Sequence, residues 1–271
     1  MGCDLSSSAL NFDSSRLPTP IPDELAGRVA IVTGAGRGMG RAVALRLSAA
    51  GASVVINDLS AEAAEATAGA LRDAGGRAIA VSGNVMNSSD VTGVVDRAVS
   101  EFGALHILVN AAGVLKRTAV FDMAEDEWDF VIGVNLKGTF LPSRAVLPAM
   151  REAGWGRIVN FSSTAGKTTS TLGSAAYTSS KHAVLGLTRH LAMEEASHGI
   201  TVNAVCPGLI DTEMVQDEID EASKTAYANS FPITRLGEPS EVSELVAFLA
   251  SDRAAYITGA ALDINGGDLM V

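Results

Sequence analysis

The sequence predicts an α/β protein in which one doubly wound, seven-stranded parallel β-sheet carries helices on both faces. Short runs of Val, Ile and Ala alternate with longer segments whose apolar residues recur at helical spacing, a pattern typical of repeated βαβ units. Hydrophobic residues make up 47% of the chain but aromatic residues only 5%, which suits closely packed helices and buried parallel strands. Right-handed crossovers between such units place the ligand site at the carboxyl ends of the strands.

Seven segments have the length and composition of buried strands: Val29 to Thr33, Ser53 to Asn57, Ala78 to Ser82, Ile107 to Asn110, Ile158 to Phe161, Thr201 to Val205 and Ala261 to Ile264. Helical spacing lies between them, as in Ala61, Ala64, Ala68 and Leu71. Residues 1–24 are rich in Ser and Pro and are predicted to form a flexible tail. Residues 25–271 show no internal boundary or repeat, so they are expected to form a single domain.

Composition excludes several functional classes. A net charge of -11 without any basic run argues against binding to nucleic acids or anionic membranes. The chain has two cysteines and no apolar stretch long enough to span a bilayer, so a soluble protein of the reducing cytoplasm is expected. The histidines lack the spacing of a metal site, and we predict no metal; they are His106, His182, His190 and His198.

A glycine-rich turn, residues 34–40, follows the first predicted strand directly and leads into a helical segment. Glycines at such a turn let the backbone approach a pyrophosphate, and the helix N-terminus supplies unpaired N–H groups and a partial positive charge. The turn therefore predicts a dinucleotide site, with a simple tight turn as the alternative.

Asp58 and Arg37 make opposing predictions about which dinucleotide binds. Asp58 ends the second strand, 18 residues after Gly40, where a carboxylate can bind both ribose hydroxyls and repel a 2'-phosphate. The Arg37 guanidinium could instead pair with a 2'-phosphate. We predict NAD, because repulsion by Asp58 discriminates whereas Arg37 can lie near the adenine or the diphosphate; NADP is the alternative.

Tyr177 and Lys181 are four residues apart on a predicted helix, so both side chains project from the same face. A tyrosine normally loses its proton near pH 10, and a nearby cation lowers that pKa by stabilising the phenolate. This pair is a candidate general base with its activating ammonium, although the same spacing also occurs in ordinary solvated helices.

Taken together, the glycine turn, Asp58 and the Tyr177/Lys181 pair resemble the short-chain dehydrogenase/reductase family, in its compact single-domain branch. The likeness covers residues 25–268. Further ordered matches are the Leu25-Ala-Gly-Arg-Val start, Asn110-Ala-Ala-Gly113, Asn135 in Val-Asn-Leu-Lys-Gly, Ser162-Ser163, Pro207-Gly208 with Thr212, and Tyr256-Ile-Thr-Gly259.

The resemblance implies a Rossmann-type catalytic domain that binds NAD or NADP and carries a catalytic tetrad. Tyr177 would exchange a proton with the substrate oxygen, Ser163 would hydrogen-bond that oxygen, and Lys181 would hold the nicotinamide ribose. Asn135 would shape a helix whose main chain anchors a water in the proton relay. The cofactor contacts implied are Gly34, Arg37, Gly38, Met39, Asp58, Leu59, Asn84, Val85, Asn110, Ala111, Gly113, Tyr177, Lys181, Pro207, Gly208, Ile210 and Thr212.

Three positions depart from the family pattern or leave an alternative open. Ser162 competes with Ser163 as the catalytic serine, and Ser163 lies 14 residues before Tyr177, one more than the usual spacing. Asn84 stands where Asp is commoner, and its amide oxygen can still accept a hydrogen bond from the adenine. Asn110-Ala-Ala-Gly113 replaces the more frequent Asn-Asn-Ala-Gly, and these residues are expected to pack beneath the adenosine and to shape the central strand rather than touch the substrate.

The substrate end is predicted to be covered by a lid, residues 209–231, with six acidic residues and one lysine. Such a lid disfavours anionic carriers, and His198 stands where reductases of acyl carrier protein often have Arg. We therefore expect a secondary alcohol or ketone of a small neutral molecule as substrate. The alternatives are a 3-oxoacyl thioester reductase and a non-catalytic cofactor-binding scaffold. A homotetramer is expected from the family, with residues 140–150 and 183–191 apolar enough to form its interfaces.

Overall fold

The computed structural model describes residue 21, residues 23–217 and residues 219–271. Most of the predicted flexible tail, residues 1–20 and 22, lies outside the described residues. Within the described part of the chain, no helix is both long and apolar enough to cross a membrane.

Seven parallel strands form one sheet in the order β3-β2-β1-β4-β5-β6-β7, which confirms the predicted fold class. The strands are β1 Val29–Thr33, β2 Ser53–Asp58, β3 Ala78–Ser82, β4 Ile107–Asn110, β5 Gly156–Phe161, β6 Ile200–Pro207 and β7 Ala261–Ile264. All seven predicted segments are strands. β5 and β6 begin earlier than predicted because Gly156 pairs with Ile200, so the two strands extend each other.

Nine helices connect or flank the strands in the described chain: α1 Gly38–Ala49, α2 Ala61–Asp73, α3 Ser88–Phe102, α4 Glu125–Ile132, α5 Gly138–Ala153, α6 Ala175–Glu195, α7 Glu213–Gln216, α8 Glu221–Ser230 and α9 Pro239–Leu249. A π-helical segment, Gly133–Lys137, joins α4 to α5. Side chains cap most of the longer helices at their N-termini, for example Ser60 at α2 and Asn87 at α3. Such caps satisfy first-turn N–H groups and typically stabilise a helix by about 1 kcal/mol.

Both faces of the sheet are buried. Ala30 and Val32 of β1 belong to the core under α1, α2 and α9, while Val29 and Ile31 belong to the core under α3, α5 and α6. Burial of one such Val or Ile contributes roughly 1.5–3 kcal/mol, so a polar residue at Ile31 would destabilise the sheet at its centre. Burial on both faces also explains why these strands are continuous apolar runs.

The strand order places a crevice between β1 and β4. β1 pairs with β2 on one side and with β4 on the other, so the connections that leave β1 and β4 diverge to opposite faces. Thr33 and Asn110, the last residues of the two strands, are register partners. Ligands of doubly wound sheets bind at such a switch point, beyond the carboxyl ends of the strands.

Candidate active site

The glycine turn after β1 depends on the absence of side chains. Gly34 has φ +63°, and a Cβ there would lie 2.7 Å from the Cα of Ala112 in the loop after β4. Gly38 also has a positive φ, +55°. A Cβ on Gly40 would overlap the carbonyl oxygen of Gly34. The turn is therefore held close to the switch point, with its backbone open to a ligand.

The N-terminus of α1 fits a pyrophosphate. Arg37 at the N-cap makes no capping hydrogen bond through its side chain, and the first turn contains no acidic residue. The first-turn N–H groups and the positive end of the helix dipole thus remain for an anionic ligand. Arg37 is exposed, and Met39 packs partly against the core.

Asp58 is fixed beside this turn by two backbone hydrogen bonds. Its Oδ2 accepts from Gly36 N at 2.9 Å, and its Oδ1 accepts from Ser60 N at 3.0 Å. A Cβ on Gly36 would lie 2.8 Å from Oδ2, so glycine is needed for this approach. Leu59 is 76% exposed. The carboxylate is therefore fixed against the glycine turn at Gly36, the residue before the exposed Arg37.

The loop after β3 packs against the segment that joins α4 to α5. Asn84 donates its backbone N–H to Asp90, and its side-chain Oδ1 accepts from Met86 N at 2.9 Å. Val85 is buried, and a Cβ on Gly138 would lie 2.6 Å from its Cγ2. Asn84 thus holds its loop in shape with the same oxygen that was expected to bind adenine, and that oxygen retains a second lone pair.

Asn110 points into the protein interior. Its side chain is buried and donates to Asn160 Oδ1 at 2.8 Å and to Ser143 Oγ at 3.0 Å, so it joins β4 to β5 and α5. Only its backbone is left to face the crevice. After the half-buried Ala111, the chain reaches Gly113, where a Cβ would lie 3.7 Å from Lys181 Nζ.

Tyr177, Ser163 and Lys181 lie together above the end of β5. Ser174 caps α6 by accepting from Tyr177 N, which fixes the first turn of the helix. The Ser163 side chain is hydrogen-bonded to the Tyr177 side chain. Lys181 Nζ lies 5.6 Å from the centre of the Tyr177 ring and donates to the Phe161 carbonyl oxygen at 2.8 Å. One helix and one strand end therefore present a phenol, a hydroxyl and an ammonium to the same space.

Burial dominates the electrostatics of these groups. It raises the pKa of Tyr177 above its ordinary value, and the hydrogen bond from Ser163 opposes that rise. Burial lowers the pKa of Lys181 to about 8, against a smaller opposing effect of the Cys206 thiol. In this structure the phenol is thus protonated at neutral pH, and the ammonium is held in an unfavourable, poorly solvated position.

Ser162 and Ser163 have different environments. Ser162 is buried, and its hydroxyl donates to the Lys181 carbonyl oxygen at 2.9 Å, which ties β5 to α6. Ser163 is half-buried, accepts from Ala165 N and contacts the Tyr177 hydroxyl. The geometry therefore favours Ser163 over Ser162 as the serine beside the reacting oxygen.

Asn135 lies in the π-helical segment between α4 and α5 and is buried. Its carboxamide clamps the loop after β4, because Oδ1 accepts from Val114 N at 2.8 Å and Nδ2 donates to Val114 O at 3.0 Å. Nδ2 also donates to Ser180 Oγ at 3.1 Å. Sequence patterns did not reveal Ser174 or Ser180, since both resemble ordinary helix serines.

The lid begins at the end of β6. Pro207 closes that strand, and a Cβ on Gly208 would lie 2.9 Å from Asn265. Ile210 is buried and bridges to Gly237, and Thr212 precedes α7 beside the glycine turn.

Between β6 and α9, the described residues of the predicted lid form α7 and α8, and whether they cover a substrate stays a prediction. Lys224 is paired with Glu221, so the lysine of the lid is neutralised within its own helix. Glu213 carries a carboxylate oxygen that would lie 3.5 Å from a Cβ on Gly38. Five of the six acidic residues of the lid are described, and the sixth, Glu218, lies outside the described residues.

Within the described residues, no group of three His, Cys, Asp or Glu side chains could hold a metal ion.

Comparison with known proteins agrees with this geometry. Residues 34–268 match a family model described as enoyl-(acyl carrier protein) reductase. The chain is 42% identical to the short-chain reductase protein NovJ of Streptomyces niveus over 246 residues, 88% of this chain and 93% of that protein. It is 41% identical to the 3-oxoacyl-[acyl-carrier-protein] reductase FabG of Pseudomonas aeruginosa, covering 91% of this chain and 99% of that protein.

Among solved structures, a 3-oxoacyl-[acyl-carrier protein] reductase of Brucella melitensis with bound NAD is similar, with a TM-score of 0.86 and 35% identity. The match covers 94% of this chain and 97% of that one. The family model, the relatives and the solved structure all point to one family. The chain therefore belongs to the short-chain dehydrogenase/reductase family and is an oxidoreductase that uses a nicotinamide cofactor.

Proposed function

We propose that the region 25–271 acts as one catalytic domain that interconverts a secondary alcohol and a ketone with NAD, using Tyr177 as general acid and base. The observation that carries this proposal is the convergence of the Tyr177 phenol, the Ser163 hydroxyl and the Lys181 ammonium at the crevice. Oxidation of an alcohol needs a base for the hydroxyl proton and a donor that orients the oxygen, and these side chains supply both.

A bound nicotinamide would supply the hydride acceptor for oxidation of the carbinol carbon and the hydride donor for reduction of the ketone. Ser163 orients the substrate oxygen, and Tyr177 takes the hydroxyl proton during oxidation and returns it during reduction. Lys181 would stabilise the phenolate form of Tyr177 and would hold the ribose hydroxyls of the cofactor. Asn135 holds the loop after β4 and the adjoining turn of helix in place, so that the proton can leave by an ordered route.

A pKa near neutrality is the demanding requirement for Tyr177. Burial alone raises this pKa, so nearby positive charge has to overcome it. Lowering the pKa from about 10 to about 7 requires roughly 4 kcal/mol of differential stabilisation. We assign this effect to Lys181 together with the positive charge of the oxidised cofactor.

NAD is the proposed cofactor because a carboxylate fixed at the end of β2, as Asp58 is, can bind the adenosine ribose hydroxyls. Both of its oxygens already accept backbone N–H groups, so the carboxylate cannot turn away from a 2'-phosphate without losing them. The uncapped α1 would bind the pyrophosphate through backbone N–H groups of the glycine turn. The relative of known structure with bound NAD supports this proposal. The exposed Arg37, whose guanidinium could pair with a 2'-phosphate, favours the alternative, NADP.

The proposed substrate is a small or medium neutral molecule such as a polyol, sugar, steroid or other cyclic alcohol. The acidic lid, with Lys224 engaged by Glu221, supports a neutral substrate over an anionic carrier. A 3-oxoacyl thioester is the second candidate, and it is favoured by the names of the relatives, several of which are 3-oxoacyl-[acyl-carrier-protein] reductases. A non-catalytic scaffold is the third, and the complete tetrad argues against it.

The test combines one substitution with a substrate panel. Purified protein is assayed by absorbance of the reduced cofactor with cyclohexanol, sorbitol, glucose, a 3-hydroxysteroid and, for reduction, acetoacetyl coenzyme A. Tyr177→Phe is expected to bind NADH normally and to lose at least about a hundredfold in turnover. Near-wild-type turnover of that variant would refute the mechanism, and preference for the thioester would select the second candidate.

We further propose a cytoplasmic homotetramer. The buried, unpaired thiol of Cys206 suits a reducing compartment. Large side chains on the α4–α5 surface are partly exposed and suit contact with another copy of the chain, among them Trp128, Phe130 and Phe140. Light scattering that gives a monomer mass would refute the tetramer, and cell fractionation tests the location.

A further inference from the structure

We propose that Ser180 is a positioning residue, which links the Asn135 carboxamide to the helical turn that carries Tyr177 and Lys181. This inference rests on the proposed function. Ser180 is fully buried, and its hydroxyl makes two hydrogen bonds of different kinds. It donates to the Tyr177 carbonyl oxygen at 2.7 Å, and it accepts from Asn135 Nδ2 at 3.1 Å.

The first of these bonds is common and the second is not. A serine hydroxyl that bonds a carbonyl oxygen one turn earlier is a frequent feature of helices and is by itself structural. The bond from Asn135 spans 45 residues and joins α6 to the π-helical segment. Ser180 can accept from Asn135 in a fixed direction because its own proton is committed to the Tyr177 carbonyl oxygen.

Both N–H groups of the Asn135 carboxamide and one lone pair of its oxygen are used in this arrangement. Its oxygen accepts from Val114 N, one N–H donates to Val114 O, and the other N–H donates to Ser180. The two Val114 bonds attach the carboxamide to the loop after β4. The Ser180 bond attaches it to the catalytic helix, so that loop, π-helical segment and α6 meet at one side chain.

This junction lies next to the reacting groups. A Cβ on Gly113 would be 3.4 Å from Asn135 Oδ1 and 3.7 Å from Lys181 Nζ, so carboxamide and ammonium border the same small space. A π-helical segment breaks the regular hydrogen-bond ladder, and its position therefore depends more on side-chain contacts. Removal of the Ser180 hydroxyl leaves a buried N–H of Asn135 without an acceptor and releases the carboxamide from α6.

The experiment compares Ser180→Ala with Ser179→Ala, a matched control on the neighbouring, exposed position of the same helix. The substrate is whichever compound of the panel the wild-type enzyme turns over fastest. We expect Ser180→Ala to lower kcat about ten- to thirtyfold, because small misplacements of reacting groups are costly, and to leave the NADH dissociation constant within about twofold. Ser179→Ala should match the wild type in both measurements.

A double-mutant cycle separates positioning from a merely structural role. If Ser180 acts through Asn135, adding Ser180→Ala to Asn135→Ala should change kcat by less than about twofold. Ser180→Cys keeps the size of the side chain with a weak donor and acceptor, and it replaces Ser180→Ala in the test if that variant does not fold. It should lower kcat in the same direction, by less than is expected for Ser180→Ala. Melting curves identify unfolded variants.

Three results overturn the inference: turnover of Ser180→Ala equal to that of Ser179→Ala, wild-type turnover of Ser180→Cys, or losses from Ser180→Ala and Asn135→Ala that multiply in the double variant. If Tyr177→Phe is inactive while Ser180→Ala behaves as the wild type, only this inference fails. If Tyr177→Phe remains active, the proposed mechanism fails instead.

Discussion

Asp58 offers the sharpest test of cofactor choice, because its carboxylate is held in place by the protein itself. Oδ2 accepts from Gly36 N and Oδ1 from Ser60 N, at 2.9 and 3.0 Å. Asp58→Asn keeps the size of the side chain and removes its charge. It also replaces one side-chain oxygen, which accepts a backbone N–H, with an amide group that donates. The variant should therefore bind NADH several times more weakly, while it loses its repulsion towards NADPH.

The expected magnitude follows from the charges. At a separation of about 5 Å and an effective dielectric constant of about 40, a carboxylate and a 2'-phosphate of charge about -2 repel by roughly 3 kcal/mol. That energy corresponds to a factor of about 150 in relative affinity. We therefore expect Asp58→Asn to shift the ratio of the NADH and NADPH dissociation constants by about a hundredfold towards NADPH.

Fluorescence titration of NADH and NADPH measures both constants without knowledge of the substrate. Glu62→Gln is the matched control, since it removes the same charge from the exposed first turn of α2, the helix that follows Asp58. The control should leave the ratio within about twofold, because exposed charges farther away are screened. A wild-type protein that prefers NADPH, or a ratio that moves less than about threefold in Asp58→Asn, would refute the role given to Asp58.

Two further predictions concern the glycines and the buried lysine. Gly34→Ala should destabilise the protein by more than about 2 kcal/mol and abolish NADH binding, because a Cβ would collide with Ala112. Gly186→Ala, on the exposed side of α6, should instead stabilise the protein by about 0.5–1 kcal/mol. Denaturant unfolding measures both changes, and equal effects of the two substitutions would refute the reasoning. Lys181 has a pKa lowered to about 8, so its charge costs stability below that pH and the cost fades as pH rises towards the unfolded value near 10.5. Relative to Lys181→Met, the cofactor-free wild type should gain about 2 kcal/mol of unfolding free energy between pH 7 and 9.5, and a constant difference would contradict the lowered pKa.

Most of the fold could be predicted from the sequence for a local reason. Strands buried on both faces require apolar residues at every position, so β1 and β6 stand out without knowledge of their neighbours. Their ends are less certain, because pairing between strands sets them, as the Gly156–Ile200 pair does for β5 and β6. The glycine turn was recognisable because it lies between a clear strand and a clear helix.

The choice between neighbouring candidates required the tertiary structure. Ser162 and Ser163 are identical in sequence terms, and only the positions of α6 and β5 turn one hydroxyl towards the Lys181 backbone and the other towards Tyr177. Asn110 was expected to pack beneath the adenosine and to shape the central strand, and only the tertiary structure shows that its side chain points inward to Asn160. Such orientations depend on contacts between residues far apart in the chain.

The sequence by itself determined the order of the strands along the chain, the glycine-rich turn and the Tyr177/Lys181 pair, because helical and strand periodicity place nearby residues on known faces. The tertiary structure decided what surrounds that pair: burial that raises the pKa of Tyr177 and lowers that of Lys181, and the Asn135–Ser180 hydrogen bond. Burial and long-range hydrogen bonds are properties of packed elements, so a pattern five residues long can mark the Tyr177/Lys181 pair but cannot determine its pKa values.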